Sequence, residues 1–370
     1  MANNEASNQV SINLQGGAAI IAPAGSFPHG IPHNALVVMP LEQGHPVEKE
    51  IFSGPVAIKM EDLWPKIGFN GPPVQVDDDQ GRPVWIGVED LLSAIEKSVT
   101  EAPDDLNRAR FFAQKLMEFE RWEKAETVLA RIVARGLDGN DWLALGVAQA
   151  AQKKYEKAEK TLNGAQNLLK TVPLPSLHLA RVSKEKGDVK AAREFAEKAL
   201  AIDGNFVDGW VYLASLIKET ESEDKAISVI EELANTPAYG KIAAPYIALQ
   251  GFYAGEEQTR EKAIVFAKKA MDRAPGDPLA LIVLSALYGQ AGKLEDVVKL
   301  LAPQESLMMR DVRLAHNYFE ALFQLRDLNR ITQLLNKLAN SQVAEVKQFA
   351  MERARAIQQL LQRQQQQLPA

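Results

Sequence analysis

A small apolar residue returns along this chain at a nearly fixed interval. Ala125, Ala158, Ala192, Ala226, Ala263, Val297 and Ile331 are spaced by 33, 34, 34, 37, 34 and 34 residues. A period of that length, kept through every step, marks a supersecondary unit that cannot bury its apolar face alone and must stack on its neighbours. It excludes a single closed core for this part of the chain and predicts a row of repeated pieces. The one longer step leaves room for a loop around Tyr239 and Gly240.

The copy at residues 141–173 reads DWLALGVAQAAQKKYEKAEKTLNGAQNLLKTVP and shows what each piece is. Trp142, Leu145 and Gly146 fall on one face of a first helix, and Tyr155, Ala158, Leu162 and Ala165 on one face of a second. The small residues stand where two helices approach closely, and the large ones where gaps between helices must be filled. Trp210, Leu213 and Ala214 reproduce the first-helix motif, and Gly251, Ala263, Ala270 and Pro275 carry the pattern in the next copy. Gly187-Asp188 and Gly292-Lys293 sit where the first helix must turn into the second, a position that suits glycine.

This pattern resembles the tetratricopeptide (TPR) repeat over residues 104–340. The resemblance implies an all-helical TPR solenoid of seven repeats, one for each marker residue above. The fit weakens toward the C-terminus. Val297 and Ile331 replace the signature alanine, Phe319 stands where a small residue is usual, and looser or differently angled helix packing is expected there. Residues 342–363 form a last amphipathic helix with an apolar stripe of Val346, Phe349, Ala350, Ala354, Ile357 and Leu361. A helix of this kind can cap the final open core face of a solenoid. Residues 364–370, rich in glutamine, are expected to be a frayed, disordered tail.

The first hundred residues follow a different rhythm. Residues 10–14, 18–22, 35–39, 51–60, 74–76 and 84–88 are short apolar or alternating runs bounded by Gly, Pro, Asn or Asp. That is the signature of a small, strand-rich α+β domain. Residues 75–78 and 83–86 read as a hairpin, and residues 61–64 and 89–99 as two short helices. Residues 100–106 are the boundary, with Asp104 or Asp105 capping the first solenoid helix. This block holds 5 Lys and Arg against 12 Asp and Glu, a net charge of −7, while the remainder of the chain is at +1 (37 against 36). Neither part is the strongly basic surface that nucleic acid requires, so nucleic acid is not an expected partner.

Signatures of chemistry are sparse. The sequence has no GxxxxGK[ST], GxGxxG, GxSxG or HExxH, and no cysteine for a thiol nucleophile, disulfide or thiolate-bound metal. His29 and His33, with His45, Glu42 and Glu48 nearby, have the donor types of a zinc site, but Gly30 and Pro32 keep the pair off any helix face. Asp77, Asp78 and Asp79 precede Gly81 with the wrong spacing for a calcium loop and read as a hairpin turn. No metal, cofactor or catalytic residue is expected, and the chain reads as a non-enzyme. No run approaches the ~20 apolar residues of a membrane span. The N-terminus has no basic residue before its first apolar run, unlike a secretory signal. A cytoplasmic protein is the expectation.

What remains is binding. The resemblance implies a non-catalytic scaffold whose first helices line a groove for a partner segment. One subclass clamps a carboxylate with Lys, Asn and Arg, but the matching positions here are Arg110, Gln114, Ala144, Leu174 and His178, and only Arg110 keeps a permanent charge. The expected groove is instead apolar: Leu143, Val147, Leu177, Val211, Phe252, Ile282 and Phe323, with Arg181, Lys184 and Lys218 at its centre. Such a surface suits an amphipathic helix or an apolar peptide with an acidic edge. The leading expectation is an adaptor bridging proteins during assembly of a larger complex. Self-assembly as a homo-oligomer, and a ligand-binding or enzymatic N-terminal domain regulated by the array, are the alternatives.

Overall fold

The computed structural model describes residues 10–14, 17–21, 35–38, 69–77 and 83–366. The histidine cluster, the runs at 51–60 and the short helix at 61–64 lie outside the described residues. The chain divides into two compact units, Met1–Lys154 and Tyr155–Ala370.

The first unit carries both sheets. β1 (Val10–Leu14) pairs antiparallel with β2 (Gly17–Ile21), and β2 pairs parallel with β3 (Ala35–Val38). β4 (Pro73–Asp77) and β5 (Pro83–Gly87) form the expected antiparallel hairpin, with Gln75 opposite Trp85. Gly87 ends it because a Cβ there would stand 2.5 Å from the Asn70 carbonyl oxygen. Four helices follow: α1 (Val88–Glu101), α2 (Leu106–Glu118), α3 (Trp122–Val133) and α4 (Gly139–Ala151). Asp105, one of the two expected caps, accepts from the backbone N–H groups of Asn107 and Arg108 at the start of α2. Val88, Leu92, Phe112, Leu116, Leu129, Ile132 and Ala148 form the core of this unit.

The second unit is all helical among its described residues. α5 (Tyr155–Leu168) opens it, followed by α6 (Leu174–Glu185), α7 (Val189–Ile202), α8 (Val207–Thr220), α9 (Glu223–Ala234), α10 (Ala244–Gly251) and α11 (Arg260–Arg273). α12 (Pro278–Gln290), α13 (Leu294–Leu301), the single turn α14 (Glu305–Met308), α15 (Val312–Gln324), α16 (Leu328–Leu338) and α17 (Ala344–Gln366) complete it. Helices pack on their successors in the chain, and first helices also pack on first helices, α8 on α10, α10 on α12 and α12 on α15. This is the stack of helix pairs that the period implies, and the small sheets of the first unit are what the short apolar runs imply.

Five of the described turns between paired helices are built one way; the α8–α9 turn at Glu221 (φ −126°) and the α10–α11 connection are not. A residue with positive φ, at Glu120, Lys153, Gly187, Gly292 and Arg326, follows the first helix. The next backbone N–H then reaches back across the helix end, as from Asp188 to the Ser183 carbonyl at 2.9 Å, Lys293 to Tyr288 at 2.9 Å and Asp327 to Leu322 at 2.9 Å. These are Schellman closures, which satisfy the orphan carbonyls of the helix end. Glycine was expected at only two of these turns. At the others a side chain accepts the left-handed conformation at a small cost.

The marker positions are among the deepest in the stack. Ala192, Ala226 and Ala263 are wholly buried, and Val297 and Ile331 are each 1% exposed, as is fitting for close helix contacts. Trp210 is wholly buried, donates from Nε1 to the Gly204 carbonyl at 2.8 Å and meets Tyr239 edge-on at 5.0 Å. The loop expected near Tyr239 and Gly240 is present, and Arg273 holds it by donating to the carbonyls of Gly240 and Ala234.

Three expectations need correction. Gly251 is exposed, with nothing within 4 Å of a Cβ built on it, so no close helix contact requires glycine there. The first helix of that copy stops at Gly251, and residues 252–259 are turns and a 3-10 segment instead of a helix. The last helix runs to Gln366, into the segment expected to be a frayed tail, and Ala354 is exposed while Val346, Phe349 and Ala350 make its inward contacts.

Trp210→Ala should destabilise the protein by about 3–5 kcal/mol, while Val211→Ala beside it, on the exposed side, should change stability by less than about 0.5 kcal/mol. Paired thermal or urea melts check the contrast. Arg326→Gly, at a left-handed turn, should stabilise by up to about 1 kcal/mol in the same assay.

Candidate protein-interaction face

In the first unit, the residue that kept the clamp chemistry is already engaged. Arg110 donates from Nε to Asp141 Oδ1 at 2.9 Å and from Nη2 to Asp141 Oδ2 at 2.8 Å, and it also reaches Asp138 and Asn107. Asp141 is buried, so this bidentate pair ties α2 to α4. It leaves no free guanidinium for a partner's carboxylate. Leu143 and Val147 are half-buried on α4. This unit also has a feature that the sequence reading missed, a cleft of about 460 Å³ between α1, α2 and α3. Val99, Ala109, Phe112, Val128 and Ile132 line it, with Glu96, Arg131 and Arg135 also at its walls.

In the second unit the first helices of the pairs are α6, α8, α10, α12 and α15. Of the expected groove residues on them, Leu177 is 1% exposed and belongs to the core, so it offers no surface. Val211 and Phe323 are each 41% exposed, Arg181 and Lys218 are exposed, and Lys184 and Ile282 are half-buried. Phe252 is half-buried, just past the end of α10, and the Lys218 ammonium lies 4.6 Å above its ring.

The three expected cations do not form a free basic centre. Lys184 is ion-paired with Glu219. Lys218 is paired with Glu223 at 2.6 Å, and Glu223 also accepts from the Tyr253 hydroxyl at 2.6 Å. Those hydrogen bonds, from Lys218 first and then Tyr253, hold the Glu223 carboxyl below its ordinary pKa. Burial, followed by the bond to Glu223, pushes the Tyr253 hydroxyl up to about 12. The Lys218–Glu223–Tyr253 chain thus fastens the non-helical segment after α10 to α8 and α9. Arg181 is different, since no carboxylate lies within ion-pair distance of it among the described residues.

Arg181 has charged neighbours, Lys184 and Glu185 on α6 and, near Tyr212, Glu219 on α8, but neither carboxylate is within ion-pair distance of it. Tyr212 on α8 donates to the Ala180 carbonyl at 2.8 Å, and burial pushes its hydroxyl up to about 12. His178 is half-buried on α6, and burial, reinforced by the Arg181 charge, lowers its pKa to about 4. α10 and α12 contain no Asp, Glu, Lys, Arg or His at all. Asn317 on α15 donates to Ser285 Oγ at 2.8 Å and to the Ile282 carbonyl at 3.3 Å, which joins α15 to α12 through neutral groups.

His178 carries a pH consequence. Its folded pKa lies below the unfolded value, so its contribution to stability is present above about pH 6.5 and is lost as pH falls toward 4. The loss is at most about 3 kcal/mol. His178→Gln should flatten that part of the stability profile, and chemical denaturation at several pH values checks it.

No family model matches the chain, and no curated protein matches it. Among solved structures, MamA is similar with a TM-score of 0.35 and 17% identity, covering 39% of this chain and 85% of its own. YrrB, described as a TPR protein with an unusual peptide-binding site, has a TM-score of 0.32 and 19% identity, covering 51% of this chain and 97% of its own. PilF of Pseudomonas aeruginosa has a TM-score of 0.32 and 15% identity, covering 58% and 97%.

Proposed function

We propose that this chain is a non-enzymatic scaffold that binds a segment of a partner protein on the open side of the first helices in its second unit. As an adaptor it bridges proteins during assembly of a larger complex in the cytoplasm. The observation that carries this reading is the exposure of Val211 on α8 and Phe323 on α15, first helices on which most charges are already paired within the chain. Two adjacent helices there, α10 and α12, offer only neutral groups. Covering exposed apolar side chains removes apolar area from water, which favours association. An amphipathic helix or apolar peptide covers them at low desolvation cost, because few charges must be stripped of water.

Repeat stacks suit the task physically. Each helix pair takes its stability from its immediate neighbours. The outward side chains of the first helices are therefore free to vary without loss of the stack. The absence of charge on α10 and α12 restricts the partner to one whose contacting side is itself apolar.

Val211→Glu combined with Phe323→Glu should leave the melting temperature close to that of the parent, since both side chains are exposed. The same double variant should lose its partners in affinity purification followed by mass spectrometry. Retention of every partner by a folded double variant would show that binding uses another surface.

A further inference from the structure

The charge pattern of this side also specifies the partner, an inference that rests on the reading above. The first helices α6, α8, α10, α12 and α15 carry four permanent cations: Arg181, Lys184, Lys218 and Arg313. Three are neutralised within the chain, Lys184 by Glu219, Lys218 by Glu223 and Arg313 by Asp311 at 2.7 Å. Arg181 is exposed and lacks such a pair among the described residues.

Of the carboxylates on these helices, Glu219 pairs with Lys184, while Glu185 lies one turn from Arg181 on α6 without an ion pair to it. Glu185 accepts from the Tyr155 hydroxyl at 3.4 Å, Asp208 sits in the first turn of α8 where the helix dipole favours it, and Glu320 lies 4.0 Å from His316 Nδ1. Beside Arg181, His178 stays neutral at pH 7 and Tyr212 is fixed on a backbone carbonyl. One guanidinium without an ion pair thus stands at the α6 end of a row of first helices in which α10 and α12 carry no charged side chain.

We infer that the partner segment is apolar over its contact face and carries one acidic side chain, which pairs with Arg181. A guanidinium offers a planar fork of donors that a carboxylate can accept from in two places. A polyacidic segment would meet no second free cation. A basic one would meet Arg181 with like charge.

The test uses the full chain and a display library of random peptides of about 15 residues, roughly four helical turns. Peptides selected on the native chain should share an apolar stripe and one Asp or Glu. A synthetic consensus peptide should bind about tenfold more weakly when its acidic residue becomes Gln. It should weaken by a similar factor on the Arg181→Glu chain, and a Lys in place of the acidic residue should restore binding to that chain. Circular dichroism confirms that the variant is folded. If the selected peptides are apolar but carry no acidic residue, and bind native and Arg181→Glu chains equally, the inference about Arg181 is overturned while the apolar face stands. If binding is indifferent to Val211→Glu with Phe323→Glu, or no peptide is selected, the face itself is refuted and the inference falls with it.

Discussion

Helix pairs in the second unit approach one another through side chains that are small at one position per repeat. Ala192, Ala226 and Ala263 are wholly buried at that position. A larger side chain there would hold the helices apart and open voids around Trp210, Leu213 and Leu281, which fill the remaining space. Toward the C-terminus the same position holds Val297 and Ile331, equally buried. The facing surface adapts to the extra methyl groups, since packing requires complementary volumes and not a particular residue. Because each close approach joins neighbours only, the outward side of every first helix is left over for other purposes.

That leftover side is chemically quiet, and this is its main property. Lys184, Lys218 and Arg313 each meet a carboxylate of the same chain. The tyrosines at 212 and 253 donate their hydroxyl protons to fixed acceptors, a carbonyl and a carboxylate. A surface with satisfied polar groups and exposed Val211 and Phe323 gains most from apolar contact. The same pairing that makes the surface quiet makes Arg181 conspicuous.

Much of this was legible in the sequence. The 34-residue spacing located the helix pairs, Gly187 and Gly292 marked two of the turns, and Asp105 was placed as a cap. The hairpin of residues 73–87 was readable from its turn residues and apolar runs. What escaped depended on three-dimensional neighbours. The turns at Glu120, Lys153 and Arg326 take the left-handed conformation without glycine, so composition gave no warning. Helix α10 stops at Gly251 and residues 252–259 run on as turns and a 3-10 segment, within the one 37-residue step of the series, and nothing in the composition of the marker position announced it. Leu177 looked like an outward residue from its repeat position but is buried, and the pairing of Lys184 and Lys218 depends on Glu219 and Glu223 reaching them. The cleft between α1, α2 and α3 has no sequence signature at all.

The central claim is that stability in the second unit passes only between neighbouring repeats. Leu281 is wholly buried on α12. Site-resolved hydrogen exchange on Leu281→Ala tests the claim most directly. Loss of protection concentrated in α10 to α15, with α5 to α7 close to the parent, is the predicted result. A uniform loss from α5 through α17 would mean a single cooperative core and would contradict the account.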